Sequence, residues 1–191
     1  RHFNYQFKEG NQYAITGANG SGKSTLLQII AGAALHSEGH IRYESSAVTP
    51  GSASYEKVNE PYIYISFAAP YLELIEEMTA TEFLIFHSKF KKLLLPVAEI
   101  LSQSGLKNSS SKQIRYFSSG MKQRLKLAQA FFTESPVLLI DEPTTNLDAQ
   151  GIALYHRLIT SYTKNRLLII SSNDEQEYGF CTEVIKMADL K

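Results

Sequence analysis

The chain has 191 residues, 43% hydrophobic and 20% charged, a balance that suits a globular protein with a sizeable core and excludes a disordered one. Nineteen basic residues cancel nineteen acidic ones, so no net field argues for nucleic acid or an anionic membrane surface as partner. The one cysteine, Cys181, excludes an intrachain disulfide and suits a reducing compartment; no apolar run approaches the roughly 20 residues that cross a bilayer. The length is that of one domain, or of one domain with a small appended subdomain.

RHFNYQFKEG is too polar for a signal peptide. Its alternation places Phe3, Tyr5 and Phe7 on one face and reads as a strand already under way, so residues upstream of Arg1 are expected. A strand is predicted over 11–16, a helix over about 22–31 and a strand near 39–43. The stretch 44–60 is polar and turn-rich, a surface loop or the end of a hairpin. A strand follows at 62–66, then a largely helical block over 72–104, interrupted where Pro96 opens a second helix. After a loop at 105–111, a helix over 119–134 puts Met121, Leu125, Ala128 and Phe132 on one face and Lys122, Arg124 and Lys126 elsewhere. Strand 137–141, helix 148–163, strand 167–171 and a last strand near 183–187 complete the chain. Strands alternating with helices at both ends predict a parallel sheet in an α/β fold, with the middle block inserted as a helical subdomain.

The sharpest signal is YAITGANGSGKSTLLQIIAG. A short β segment runs into Gly17-Ala18-Asn19-Gly20-Ser21-Gly22-Lys23-Ser24 and an apolar helix begins at once. The spacing G-x-x-x-x-G-K-[ST] is that of a P-loop. Successive backbone N–H groups and the start of a helix make a concave anion site, and glycines let phosphate oxygens approach the backbone. Lys23 is expected on the β- and γ-phosphates and the Ser24 hydroxyl on Mg²⁺, with Ser21 and Thr25 as supporting contacts. Further on, SPVLLIDEPTTNLD delivers Asp141 and Glu142 at the tip of an apolar strand. Beside a P-loop, Asp141 is expected to hold Mg²⁺ and Glu142 to orient or deprotonate the attacking water.

With these residues in place, the chain resembles the nucleotide-binding domains of ATP-binding-cassette (ABC) proteins along nearly its whole length. The distinguishing element is a serine-glycine signature before the second carboxylate strand. Here it reads Phe117-Ser118-Ser119-Gly120-Met121 against the usual Leu-Ser-Gly-Gly-Gln. Ser118 and Ser119 can cap the helix that starts there. In the family its free N–H groups bind the γ-phosphate held by the opposite subunit. Asp148, in Thr145-Asn146-Leu147-Asp148, falls in the family's dimer-contact loop and can also cap the next helix.

The resemblance implies a P-loop NTPase fold with a parallel-sheet core, a small antiparallel β portion and a helical subdomain, the core being about 1–66 and 117–191 and the subdomain about 67–116. It implies a homodimer or heterodimer that sandwiches ATP and Mg²⁺, docked on integral membrane subunits at the cytoplasmic face, with no nucleic-acid partner. Docking is expected on residues 68–95, where Glu73, Glu76 and Glu77 interleave with Met78 and Phe83. Two family elements are altered. A glutamine that touches Mg²⁺ falls near Ala68, and no Gln lies between Gln28 and Gln103. A histidine that supports the attacking water falls at Asn173, in the tip of LLIISSNDE; His156 comes too early to replace it. Asparagine offers an amide donor but cannot take a proton, so slow turnover is expected. The aromatic residue that stacks on adenine would lie upstream of Arg1. The leading reading is the ATPase subunit of a transporter. The alternative is a non-transporting module that uses ATP-dependent dimerisation as a switch, or one that binds ATP without turnover.

Overall fold

The computed structural model describes residues 3–49, 52–58 and 60–189. In chain order the main elements are β1 (Gln12–Thr16), α1 (Lys23–Ile30), β2 (Glu44–Thr49), β3 (Ser52–Lys57), β4 (Ile65–Ala68), α2 (Ala80–His87), α3 (Val97–Gln103), α4 (Ser119–Phe131), β5 (Val137–Asp141), α5 (Ala149–Tyr162), β6 (Leu167–Ser171), α6 (Glu175–Tyr178) and β7 (Glu183–Lys186). A five-stranded sheet runs in the order β4-β5-β6-β1-β7 with every neighbouring pair parallel. The strands are short apolar runs because both faces are covered, as parallel sheets require. Leu138 and Ile140 pack with Leu168, Ile170 and α4 on one face; Leu139, Ile169, Tyr13 and Ile15 pack with Leu27 of α1 on the other. Period-two alternation within VLLID and LLIIS thus feeds two hydrophobic layers at once.

β2 and β3 form a separate antiparallel two-stranded sheet. The strand expected near 39–43 is absent, and in the polar stretch expected to be a surface loop or the end of a hairpin Glu44–Thr49 pairs with Ser52–Lys57. That pairing rests on a backbone ladder, which hydropathy does not report. The strand expected at 62–66 is displaced as well: Pro61–Ile63 form a 3₁₀ turn, and β4 starts at Ile65 and runs through Ala68. The proline and the exposed Tyr62–Tyr64 suit a surface turn, whereas Ile65 and Ala68 are buried.

The block expected to be helical over 72–104 contains two short helices. α2 waits until Ala80 because Thr79 and Glu82 form a capping box: the Thr79 hydroxyl accepts from Glu82 N–H and the Glu82 carboxylate accepts from Thr79 N–H. Pro96 does stand at the head of α3. Phe83, expected on a docking face, is buried in the core with Leu84, Ile100, Leu101 and the α4 side chains Leu125 and Phe131. The apolar side chains that α2 and the following turn do expose are Ile85, Phe86 and Phe90.

The opening segment pairs with no strand among its described residues. Phe3, Tyr5 and Phe7 nevertheless share a face, stacking on one another and on Tyr13, with Phe7 and Tyr13 edge to face at 5.0 Å. Arg1 and His2 of that predicted strand lie outside the described residues. No helix among the described residues is long and apolar enough to cross a membrane.

Candidate nucleotide site

The carboxyl ends of a parallel sheet are where ligands bind in such folds, and three chain segments meet there. Asp141 of β5 stands in register with Ser171 of β6, and Ser171 with Ile15 of β1, one residue short of the strand end at Thr16. The residues that leave those strands are Glu142, Ser172-Asn173 and Gly17. Side chains more than 120 positions apart in sequence are thereby set at one edge.

The loop from Gly17 to Gly22 wraps ahead of α1. Gly17 has φ +154°, and a Cβ there would lie 2.9 Å from both Met187 Cβ and Ser21 Oγ. Only glycine fits this turn without moving its neighbours. Ser21 N–H donates to Ala18 O at 3.0 Å, and Asn19 and Gly20 are exposed at the rim. Lys23 is buried, its Nζ inside the loop donating to the carbonyls of Gly17 at 2.6 Å and Ala18 at 3.4 Å. Ser24 is half-buried and Thr25 exposed on the first turn of α1, where unpaired N–H groups and the helix dipole favour an anion.

Asp141 is 1% exposed, and its Oδ1 has no hydrogen-bond partner among the described residues; neither does the buried Ser171 Oγ beside it in register. An orphaned buried carboxylate oxygen is costly unless it is kept for a ligand. No cluster of three His, Cys, Asp or Glu among the described residues forms a protein-only metal cage. One carboxylate and one hydroxyl facing a phosphate loop is instead the sparse donor set that suits Mg²⁺, which completes its shell with phosphate and water. The residues present therefore fit such a cation, which Asp141 and Ser24 would hold.

Glu142 has φ +42°, a left-handed conformation that costs a side-chain-bearing residue about 1–2 kcal/mol. Glu142 N–H, donating to Ser171 O at 2.9 Å, holds it there, and Thr145 Oγ1 donates to Glu142 Oε2 at 3.4 Å. The strained turn directs adjacent carboxylates differently, Asp141 into the sheet edge and half-buried Glu142 outward. Asn173 closes the group from the other side. Gly17 N–H donates to Asn173 Oδ1 at 3.0 Å and Asn173 Nδ2 donates to Asn19 Oδ1 at 3.2 Å, so both ends of its amide grip the phosphate loop.

The serine-glycine segment heads α4. Ser118 is the N-cap, its Oγ accepting from Met121 N–H at 3.2 Å; Ser119 opens the helix and is exposed, and Met121 packs partly on the core. A Cβ on Gly120 would lie 2.9 Å from the Asn146 carbonyl, so this turn of α4 rests directly on the loop after Glu142. Gln123 Nε2 donates to Pro143 O at 3.0 Å and Arg124 pairs with Asp148 at 2.6 Å, two more ties between the same segments. Asp148 caps α5 by accepting from Gly151 N–H at 2.8 Å. That bond, then the Arg124 guanidinium, holds its carboxyl below the usual range.

The family model for ABC transporters matches residues 1–145. The chain belongs to the ABC transporter family. It is 31% identical over 188 residues to the ABC transporter ATP-binding protein YybJ of Bacillus subtilis, covering 97% of this chain and 81% of that protein. It is 32% identical to the bacitracin transport ATP-binding protein BcrA of Bacillus licheniformis, covering 88% of this chain and 54% of BcrA. Among solved structures, the dimeric bacterial ABC transporter cassette MJ0796 superposes with a TM-score of 0.77 at 21% identity, over 96% of this chain and 84% of that one, a likeness of fold. The protein is thus an ATP-binding subunit of an ABC transporter.

One residue of this ABC cassette escaped the sequence reading. Glu177 of α6 is 4% exposed, and its carboxylate accepts from both Thr144 N–H, at 2.8 Å, and the Thr144 hydroxyl. Its own carbonyl accepts from the Tyr155 hydroxyl at 2.6 Å. It ties the loop after Glu142 to the helix after Asn173. The only sequence signal was an acid among acids in NDEQEY, indistinguishable from a solvated face. Glu177→Ala is expected to lower stability by about 1–3 kcal/mol in urea unfolding, because the Thr144 donors lose their buried acceptor.

Proposed function

We propose that this cassette hydrolyses ATP to ADP and phosphate, slowly, between two copies or homologous cassettes arranged head to tail, and that the cycle drives transport through separate membrane-spanning subunits. The observation that carries the reading is Asp141, with its buried and partnerless Oδ1, at the same sheet edge as the phosphate loop and directly before the strained Glu142. Backbone N–H groups of Gly17–Ser24 and Lys23 Nζ bind and orient the β- and γ-phosphates. Mg²⁺, held by Ser24 and Asp141, would supply charge neutralisation on the phosphate oxygens. Glu142 positions the attacking water and accepts its proton. Asn173 donates its amide to the γ-phosphate but takes no proton. The N-terminus of α4, Ser118 to Met121, faces the nucleotide held by the other cassette, and Asp148 lies in the contact loop between the two.

Slow turnover follows from Asn173, which supplies no imidazole, and from Ala68, which supplies no carboxamide. Steady-state Mg-ATPase of full-length Asn173→His is expected to exceed wild type by roughly tenfold, since a positioned acid-base group contributes 10²–10⁴ where its geometry is complete. An unchanged or lower rate would remove Asn173 from the γ-phosphate position. Docking on the membrane subunits is assigned to Ile85, Phe86 and Phe90, the apolar side chains that α2 and its following turn leave exposed. Docked there on its partners, the subunit works at the cytoplasmic face of the membrane.

A further inference from the structure

Glu142 is left-handed, and a side-chain-bearing residue stays so only where its surroundings hold it from both sides. Its own N–H is held by Ser171 O. After it, the turn 142–145 closes with Thr145 N–H donating to Glu142 O at 3.2 Å. The two residues inside that turn are gripped from two different helices. Gln123 of α4 donates to the Pro143 carbonyl at 3.0 Å. Glu177 of α6 takes both donors of Thr144 on a single oxygen, Oε1, the N–H at 2.8 Å and the hydroxyl beside it. Glu177 is in turn joined rigidly to Asn173. Between them, Asp174 N–H donates to Ser172 Oγ at 2.9 Å, Asp174 Oδ1 accepts from Gln176 N–H at 2.9 Å, and the Asp174 carbonyl accepts from Glu177 N–H at 3.0 Å.

A buried carboxylate is a costly way merely to fill this space. No Lys, Arg or His among the described residues stands within ion-pair distance of Glu177, so its oxygens leave water without a cation to meet them. What the carboxylate supplies is direction: two bonds to one residue, each roughly twice as strong as its neutral counterpart. The Tyr155 hydroxyl, donating to the Glu177 carbonyl at 2.6 Å, anchors α6 on α5 and keeps that direction fixed.

We propose that Glu177 is a positioning residue for ATP hydrolysis: through Thr144 it sets the turn that aims the Glu142 carboxylate, and through α6 it ties that aim to Asn173. The phosphate loop, gripped by Asn173, and the carboxylate that orients water then move as one unit. The same turn runs on to Asn146, whose carbonyl lies against Gly120, so the unit reaches the head of α4. The proposal rests on reading Glu142 as the residue that orients the attacking water.

The test measures kcat and KM for Mg-ATP on full-length protein, at a temperature where each variant keeps the circular dichroism of wild type. Glu177→Ala removes the acceptor, Glu177→Gln keeps an oxygen toward Thr144, and Thr144→Val keeps the side-chain shape without the hydroxyl. Glu177→Ala is expected to lower kcat about tenfold with KM within about twofold of wild type, because the phosphate loop still binds and only the aim of Glu142 is lost. Thr144→Val is expected to lower kcat by about threefold, and Glu177→Gln to restore most of the rate lost in Glu177→Ala. In a Glu142→Gln background, Glu177→Ala is expected to cost less than about twofold more, since a residue acting through Glu142 has nothing left to aim. A kcat equal to wild type in both Glu177→Ala and Thr144→Val, as a brace of stability alone would give, overturns the proposal. So does an equal fold-loss from Glu177→Ala in the two backgrounds, or a loss carried by KM alone. Equal rates for wild type and Glu142→Gln would instead overturn the assignment of Glu142, and the role of Glu177 with it.

Discussion

Glu142→Gln is expected to lower the steady-state ATPase rate by about 10³-fold while leaving ATP affinity within a few-fold of wild type. The substitution is isosteric, so the left-handed turn at φ +42° and the Glu142 N–H bond to Ser171 O both survive it. What it removes is the carboxylate's capacity to take a proton from water. The contact from Thr145 Oγ1 to Oε2, at 3.4 Å, is weak enough that its loss costs little stability. Because binding persists and release by hydrolysis does not, the variant is also expected to accumulate an ATP-dependent dimer in size-exclusion chromatography. Equal rates in the two proteins would take Glu142 out of the mechanism.

Lys23→Ala is expected to weaken ATP binding by about 100-fold or more in calorimetry, the loss of at least one charge-assisted contact to phosphate and of a loop brace together. The brace is the structural part. Nζ is buried within the loop and donates to Gly17 O and Ala18 O, so the lysine shapes the cradle as well as charging it. Lys23→Arg separates the two: it keeps the charge, but its planar guanidinium does not fit a space closed by two carbonyls, so most of the affinity is expected to be lost there too. Unchanged affinity in Lys23→Ala would sink the phosphate-loop assignment.

Several elements were legible in the residues because the signal is local. The P-loop spacing, the apolar runs ending at Asp141 and Ser171, the Ser118 cap and the Asp148 cap each depend on a few neighbouring residues whose chemistry admits few arrangements. The middle of the chain was harder. Residues 72–79 are as apolar and acidic as an amphipathic helix, yet the capping box at Thr79 and Glu82 starts α2 late, and the segment before it becomes a loop. The β2–β3 hairpin was hidden for a different reason: its polar strands are joined by backbone bonds that composition does not encode.

The sequence alone was enough for the P-loop, the paired acids, the parallel α/β class and the ABC resemblance, since motif spacing and hydrophobic period act over a few residues. Which distant side chains meet was beyond it. Asn173 gripping Gly17 and Asn19, Glu177 holding Thr144 and Gly120 against Asn146 all join residues far apart in the chain. Those meetings depend on strand order and register across the β4-β5-β6-β1-β7 sheet, where a shift of one residue would turn each side chain to the opposite face.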